Sequence, residues 1–219
     1  MARSFIPQFI KDGYQNGIVR LVDVFIKLKI HPNFFTILGL LIAVLAAIFY
    51  AIGDLRLGGL FVLLAGISDT FDGKIARQQG IASKFGAVFD SSLDRYAEFL
   101  MFFGIGFYFI KIGDTLSIIT AIVAFIALSG SVMVSYVRAR AEGIGYNCSV
   151  GVMQRAERIV FFGVSSLIHP VALMVVIWIT AVLANITAIQ RLHYVWKTER
   201  AELDKEESVM KNEEVGNMQ

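Results

Sequence analysis

Cysteine is almost absent from this sequence, since Cys148 is the only one among 219 residues. One cysteine cannot form a disulfide within the chain or supply a cysteine zinc site, so a disulfide-stabilised secreted fold and a zinc-cysteine domain are both excluded. A charge excess is also absent, and the net charge of +2 is too small to indicate binding to nucleic acid. Charged residues make up only 17% of the chain, whereas 56% are hydrophobic and the mean hydropathy is +0.66. An ordinary water-soluble globule is therefore not expected.

Three long segments contain no Asp, Glu, Lys or Arg. Segments of this length can cross a hydrocarbon core of about 30 Å as helices. Two shorter apolar stretches, which begin at Leu57 and Phe99, reach that length only if they continue into the charged segment 69–98. The three uncharged runs have 24 residues between Lys29 and Asp54, 23 between Asp114 and Arg138, and 32 between Arg158 and Arg191, the last divided by a turn at His169-Pro170.

These runs predict an all-α integral membrane protein with six transmembrane helices. The transmembrane domain covers 31–196, and the charged tail 197–219 is expected to fray because it loses its apolar pattern. In the segment 1–30, apolar residues repeat at helical spacing from Ile18 to Leu28, which predicts an amphipathic interfacial helix; a plain linker is the alternative. The six predicted helices cover 33–53, 57–77, 84–110, 115–141, 152–168 and 171–195.

The distribution of basic residues predicts the orientation. An even number of spans places both termini on one side, and only Arg56 and Lys111 of the 20 Lys and Arg lie in loops on the other side. Because basic residues concentrate in cytosolic loops, both termini and the polar ends of the second and third helices are expected to face the cytosol. The protein is therefore predicted to lie in the cytoplasmic membrane.

Four aspartates form the clearest chemical pattern. Asp69 and Asp72 are three residues apart, and Asp90 and Asp94 are four apart, so each pair projects from one face of its helix. Four carboxylates that converge in a poorly solvated site repel one another unless a divalent cation or a basic partner compensates. Oxygen ligands favour Mg²⁺ or Mn²⁺, and Mg²⁺ commonly completes its coordination with substrate phosphates. The pattern therefore predicts metal-dependent phosphate chemistry.

The same residues carry a resemblance to a known family. Asp69-x2-Asp72-Gly73-x2-Ala76-Arg77-x8-Gly86-x3-Asp90-x3-Asp94 resembles the signature of the CDP-alcohol phosphotransferases, with all eight specified positions in register. The segment from His31 to Thr36 is similar to the Pro-Asn-x-x-Thr entry of that family, and the resemblance covers residues 30 to 195.

The resemblance implies transfer of a phosphatidyl group from CDP-diacylglycerol to an alcohol, with release of CMP, in a homodimeric membrane enzyme. It implies two metal ions held by Asp69, Asp72, Asp90 and Asp94, of which Asp94 also acts as the catalytic base. The residues implied to bind the CDP-lipid are Asn33, Thr36, Gly73, Arg77 and Ser83.

The acceptor is predicted from residues outside the signature. The segments 135–142 and 154–158 resemble the phosphatidylinositol phosphate synthases of the family, in which such arginines hold the phosphate of inositol 1-phosphate. The residues implied to bind this acceptor phosphate are Ser135, Arg138, Arg155 and Arg158. Gln154 and Ala156 depart from the common Glu-Arg-Pro-Glu-Arg motif.

Alternative interpretations remain open at this stage. Glycerol 3-phosphate is the main rival acceptor and would make the protein a phosphatidylglycerophosphate synthase. The arginines could instead be cytosolic anchors of the helices. A cation-coupled transporter is the alternative from another functional class, because aspartates within a membrane also line ion pathways.

Overall fold

The computed structural model describes residues 21–217, and the first twenty residues of the predicted interfacial segment lie outside this part. The described part is helical and contains no strand. A short helical segment, 21–27, precedes the long helices. The long helices are α1 (Pro32–Ile52), α2 (Leu55–Gln78), α3 (Lys84–Ile112), α4 (Thr115–Gly143), α5 (Arg155–Ile168) and α6 (Pro170–Asn217).

Polar caps and glycines determine where these helices begin and end. The carboxylates of Asp54 and Asp114 accept backbone N–H groups in the first turns of α2 and α4, at 2.9 and 3.0 Å. Gly53 and Gly113 end α1 and α3 in the left-handed region, with φ of 104° and 83°. Each turn between these helices therefore pairs a C-terminal glycine with the N-terminal aspartate that follows it.

The predicted helices agree with the structure within three residues, with one exception. The prediction that the last helix ends near residue 195 and that the tail frays is wrong, because α6 continues to Asn217. The tail 197–219 is rich in Glu and Lys residues, which favour a helix without any apolar face. Among the described residues, three helices are by length and composition able to cross a membrane, namely those at Pro32–Ile52, Thr115–Gly143 and Pro170–Lys205.

The core depends on close approach between helices at glycines. A Cβ atom added to Gly104 of α3 would lie 2.7 Å from the backbone Cα of Ala47 in α1. A Cβ atom on Gly59 of α2 would lie 2.7 Å from the carbonyl oxygen of Gly163 in α5. These contacts agree with the use of small residues where membrane helices pack closely.

The described part of the N-terminal segment packs beside α1 and α2. Val22 is fully buried, and the ring of Phe25 lies 4.8 Å from that of Phe35 and 5.3 Å from that of Phe71. Thr36 follows Phe35 in the sequence, and Asp72 follows Phe71. The segment therefore packs against α1 and α2 next to these two polar residues.

Candidate active site

Three of the four aspartates converge between α2 and α3. The helical spacing places Asp69 and Asp72 on one face of α2, and α3 presents Asp90 opposite them. Carboxylate oxygens of these three residues lie within 4.8 Å of one another. From α1, the hydroxyl of Thr36 donates to Oδ2 of Asp72 at 2.8 Å, and this hydrogen bond is buried. Three helices therefore position the cluster.

The cluster suits a hard divalent cation. Its donors are all carboxylate oxygens, and the separation of these atoms is compatible with ligands around one ion. Oδ1 of Asp90 is buried and has no hydrogen-bond partner among the described residues, so it has a lone pair free for coordination.

Asp94 lies outside this three-residue cluster and pairs with an arginine. Nη1 of Arg155, at the start of α5, lies 2.5 Å from Oδ2 of Asp94 and 3.1 Å from Oδ1 of Asp69. Arg155 therefore connects two of the predicted metal ligands. All four aspartates and Arg155 border one narrow cavity of about 40 Å³ that continues between α1, α2, α3 and α5.

A second, larger cleft adjoins the carboxylates at the start of α1. Its volume is about 340 Å³, and Asp72 and Asp90 form part of its wall. The side chain of Ser83 caps α3 by accepting the N–H of Gly86 at 2.9 Å. All five residues implied to bind the CDP-lipid line this one cleft: Asn33, Thr36, Gly73, Arg77 and Ser83.

The residues implied to bind the acceptor phosphate have four different environments. Arg155 borders the carboxylate cavity, whereas the side chain of Arg158 is only 1% exposed. Arg138 is exposed and pairs with Glu142 at 2.8 Å. The hydroxyl of Ser135 lies 3.4 Å from the carbonyl oxygen of Ser131. The structure thus places Arg155 beside the aspartates. Ser135, Arg138 and Arg158 contact other residues instead.

Glu98 is a site residue that the sequence reasoning did not identify. Its Oε1 accepts a hydrogen bond from Nη2 of Arg158 at 3.0 Å and another from the hydroxyl of Ser131. Nη1 of Arg158 donates to the carbonyl oxygen of Met153 at 3.1 Å. The available signal was the spacing, because Glu98 follows Asp94 by four residues and therefore shares its helix face.

The loop 144–154 that leads to Arg155 is held by α6. Nε of Arg191 donates to the carbonyl oxygen of Val150 at 2.8 Å, and Nη1 of the same residue donates to Val134 in α4. Further along α6, Glu202 accepts a hydrogen bond from the hydroxyl of Tyr146 at 2.9 Å. The position of Arg155 therefore depends on contacts made by the last helix.

The chain is similar in sequence and in fold to named synthases. An archaetidylinositol phosphate synthase of Methanothermobacter thermautotrophicus is 36% identical, with 88% of this chain and 97% of the relative aligned. The phosphatidylinositol phosphate synthase of Mycobacterium tuberculosis, with CDP-DAG bound, matches at a TM-score of 0.72 and 30% identity over 82% of this chain and 93% of that one. Its structure with manganese and citrate has the same TM-score at 32% identity, over 82% and 88% of the two chains.

The family resemblance predicted from the aspartate signature is confirmed. The sequence pattern of one family matches residues 29–188, which include the four site aspartates, the donor-cleft residues and Arg138, Arg155 and Arg158. By this match and by its relatives, the chain belongs to the CDP-alcohol phosphatidyltransferase family and is an enzyme of that class.

Proposed function

We propose that this enzyme transfers a phosphatidyl group from CDP-diacylglycerol to inositol 1-phosphate, forming phosphatidylinositol phosphate and CMP. The observation that carries the proposal is that the five donor residues share one cleft whose wall includes Asp72 and Asp90 of the carboxylate cluster. A donor pyrophosphate in this cleft lies against that cluster. The names of the relatives support the acceptor, and Arg155 provides a cationic group on the other side of the aspartates.

The side chains around the cluster have different roles in the proposed reaction. Two Mg²⁺ or Mn²⁺ ions held by the four aspartates would neutralise charge on the pyrophosphate. Asp94 takes the proton of the acceptor hydroxyl, whose oxygen forms a bond to the lipid-side phosphorus as the bond from that phosphorus to the CMP oxygen breaks. Arg77 in the donor cleft holds the CDP phosphates.

The acceptor phosphate is held by Arg155, with Ser135 and Arg138 completing the site when the acceptor binds. Arg155 is the acceptor residue nearest to Asp94, so a phosphate held there keeps the acceptor close to the proposed base. Arg158 supports the acceptor site indirectly. Its pairing with Glu98 fixes the first turn of α5, which carries Arg155. This division of roles refines the prediction that both arginines contact the phosphate.

All six long helices cross the cytoplasmic membrane, and the active site and both termini face the cytosol. The three helices outside the long apolar set still expose bulky apolar side chains along their length, as lipid contact requires. The described helical segment 21–27 lies at the membrane interface, and the enzyme is a homodimer. The exposed apolar side chains include Leu57, Leu60 and Leu64 of α2, Phe103 and Phe107 of α3, and Val160 and Val164 of α5.

An acceptor screen tests the proposal. Purified full-length protein is incubated with CDP-diacylglycerol and Mg²⁺ or Mn²⁺, and CMP release is measured with inositol 1-phosphate, glycerol 3-phosphate, serine and free inositol. We expect release with inositol 1-phosphate and none after chelation of divalent cations. Preference for glycerol 3-phosphate would identify a phosphatidylglycerophosphate synthase. Ion flux in vesicles without CMP release would contradict the enzyme and favour a transporter.

A further inference from the structure

Two arginines one turn apart on α5 are anchored in different ways. Arg158 uses Nη2 for Glu98 and Nη1 for the carbonyl oxygen of Met153, and its side chain is 1% exposed. Two different nitrogens thus fix this guanidinium in a closed pocket. Arg158 is therefore a fixed part of the helix packing.

Arg155 is held through one nitrogen only. Nη1 contacts both Asp94 and Asp69, and Nε of Arg155, like Nε of Arg158, is buried and has no hydrogen-bond partner among the described residues. The side chain is 21% exposed and borders the carboxylate cavity. Arg155 is also the first residue of α5, where the helix dipole does not favour a positive side chain. Nothing in these contacts forms the two-pronged fork that makes an arginine pair rigid.

The carboxylates that pair with Arg155 are also predicted metal ligands. A divalent cation at Asp69 and Asp94 would bring positive charge against the guanidinium, and like charges at such distances repel strongly in a partly buried site. The divalent cation and the guanidinium of Arg155 therefore compete for the same carboxylate oxygens. An acceptor phosphate beside α5 offers the guanidinium another anionic partner.

We propose that Arg155 is a displaceable counter-ion. It competes with the divalent cation for Asp69 and Asp94, and an acceptor phosphate that engages Arg155 releases these carboxylates to the cation. Cation and acceptor therefore bind with positive coupling, which by linkage acts equally in both directions. This inference rests on the proposed function, because it uses a phosphorylated acceptor.

Mn²⁺ binding to the full-length protein tests the competition without turnover. Mn²⁺ is titrated into detergent-purified wild type, Arg155→Gln and Arg155→Lys in the absence of CDP-diacylglycerol, and bound ion is measured by electron paramagnetic resonance. We expect Arg155→Gln to bind Mn²⁺ more tightly, by about 5- to 150-fold if the coupling is of ordinary size. Arg155→Lys keeps the positive charge, so its affinity is expected to stay within a few-fold of wild type. Arg200→Gln removes an arginine near Trp196 on α6 and controls for net charge.

The second arm measures the coupling itself. Inositol 1-phosphate is expected to tighten Mn²⁺ binding in wild type and to have little effect in Arg155→Gln, whereas free inositol leaves both unchanged. Inorganic phosphate distinguishes recognition of the phosphate from recognition of the whole acceptor. Equal or weaker Mn²⁺ binding by a folded Arg155→Gln protein would overturn the inference. Such a binding result would not contradict the proposed function as long as the wild type releases CMP with inositol 1-phosphate.

Discussion

Nη2 of Arg158 lies 3.0 Å from Oε1 of Glu98, and the two side chains are 1% and 5% exposed. The pair joins α5 to α3 one turn beyond Asp94, the predicted base. Because both charges are removed from solvent, each requires compensation, which Arg158 receives from Glu98, and Glu98 receives from Arg158 and, at 3.9 Å, from Nε of Arg95. The pair is therefore a structural support next to the reacting groups.

Breaking this pair on one side is expected to destabilise the protein more than removing both charges. Glu98→Leu leaves the buried charge of Arg158 without its partner, which costs about 3–5 kcal/mol in comparable pairs, whereas Arg158→Met leaves Glu98 with a longer contact to Nε of Arg95 at 3.9 Å. The double variant Glu98→Leu/Arg158→Met is expected to be more stable than either single variant. Unfolding in detergent, followed by circular dichroism, measures this. Single variants as stable as wild type would contradict a structural role and favour contact with the acceptor.

Loss of the Thr36 hydroxyl is expected to weaken cation binding. Thr36→Val keeps the shape of the side chain and removes the hydrogen bond to Asp72, which holds that carboxylate in position. Loss of such supporting partners typically lowers metal affinity or activity about 10- to 100-fold. The Mn²⁺ concentration at half-maximal activity measures the effect. Thr36→Ser retains a hydroxyl and is the matched control, so equal losses in both variants would argue against the hydrogen bond.

Asp94→Asn is expected to lower kcat while donor binding changes little. General-base catalysis contributes about 10²- to 10⁴-fold, and the amide cannot take the acceptor proton. The donor cleft is lined by Asp72 and Asp90, and Asp94 is not among its lining residues. Turnover and CDP-diacylglycerol affinity are measured on the same preparation. A variant with normal kcat and weakened donor affinity would show that Asp94 serves only as a ligand.

Gly104→Ala is expected to destabilise the contact between α1 and α3. The new methyl group would meet backbone atoms of Ala47 at 2.7 to 2.8 Å, and backbone cannot turn aside as a flexible side chain can. Overpacking of this kind costs about 1–3 kcal/mol. Gly143→Ala at the end of α4 is the matched control, because nothing lies within 4 Å of its added Cβ atom. Thermal stability in detergent should fall for Gly104→Ala and not for Gly143→Ala.

Much of the fold and of the carboxylate cluster was predictable from local spacing. Uncharged runs and terminal glycines indicate helix ends, and intervals of three or four residues place aspartates on shared faces. The pairing of Glu98 with Arg158 was not predictable in this way, because the partners are 60 residues apart and no local period relates them. The length of α6 is not indicated by apolar periodicity, because the tail has no apolar face and its helix depends on the helix propensity of its residues.

Several contacts attach the loop 144–154 to α6, and two of them involve well-separated residues of that helix. Arg191 binds the carbonyl oxygen of Val150, and Glu202 binds the hydroxyl of Tyr146. Arg191 and Glu202 lie on one uninterrupted helix, about 16.5 Å apart along its axis at 1.5 Å per residue. The helix α6 thus holds the loop at Tyr146 and at Val150. A shift of the loop along the axis of α6 would break one of these hydrogen bonds. The backbone that leads to Arg155 is therefore fixed, and displacement of Arg155 from the carboxylates requires movement of its side chain alone.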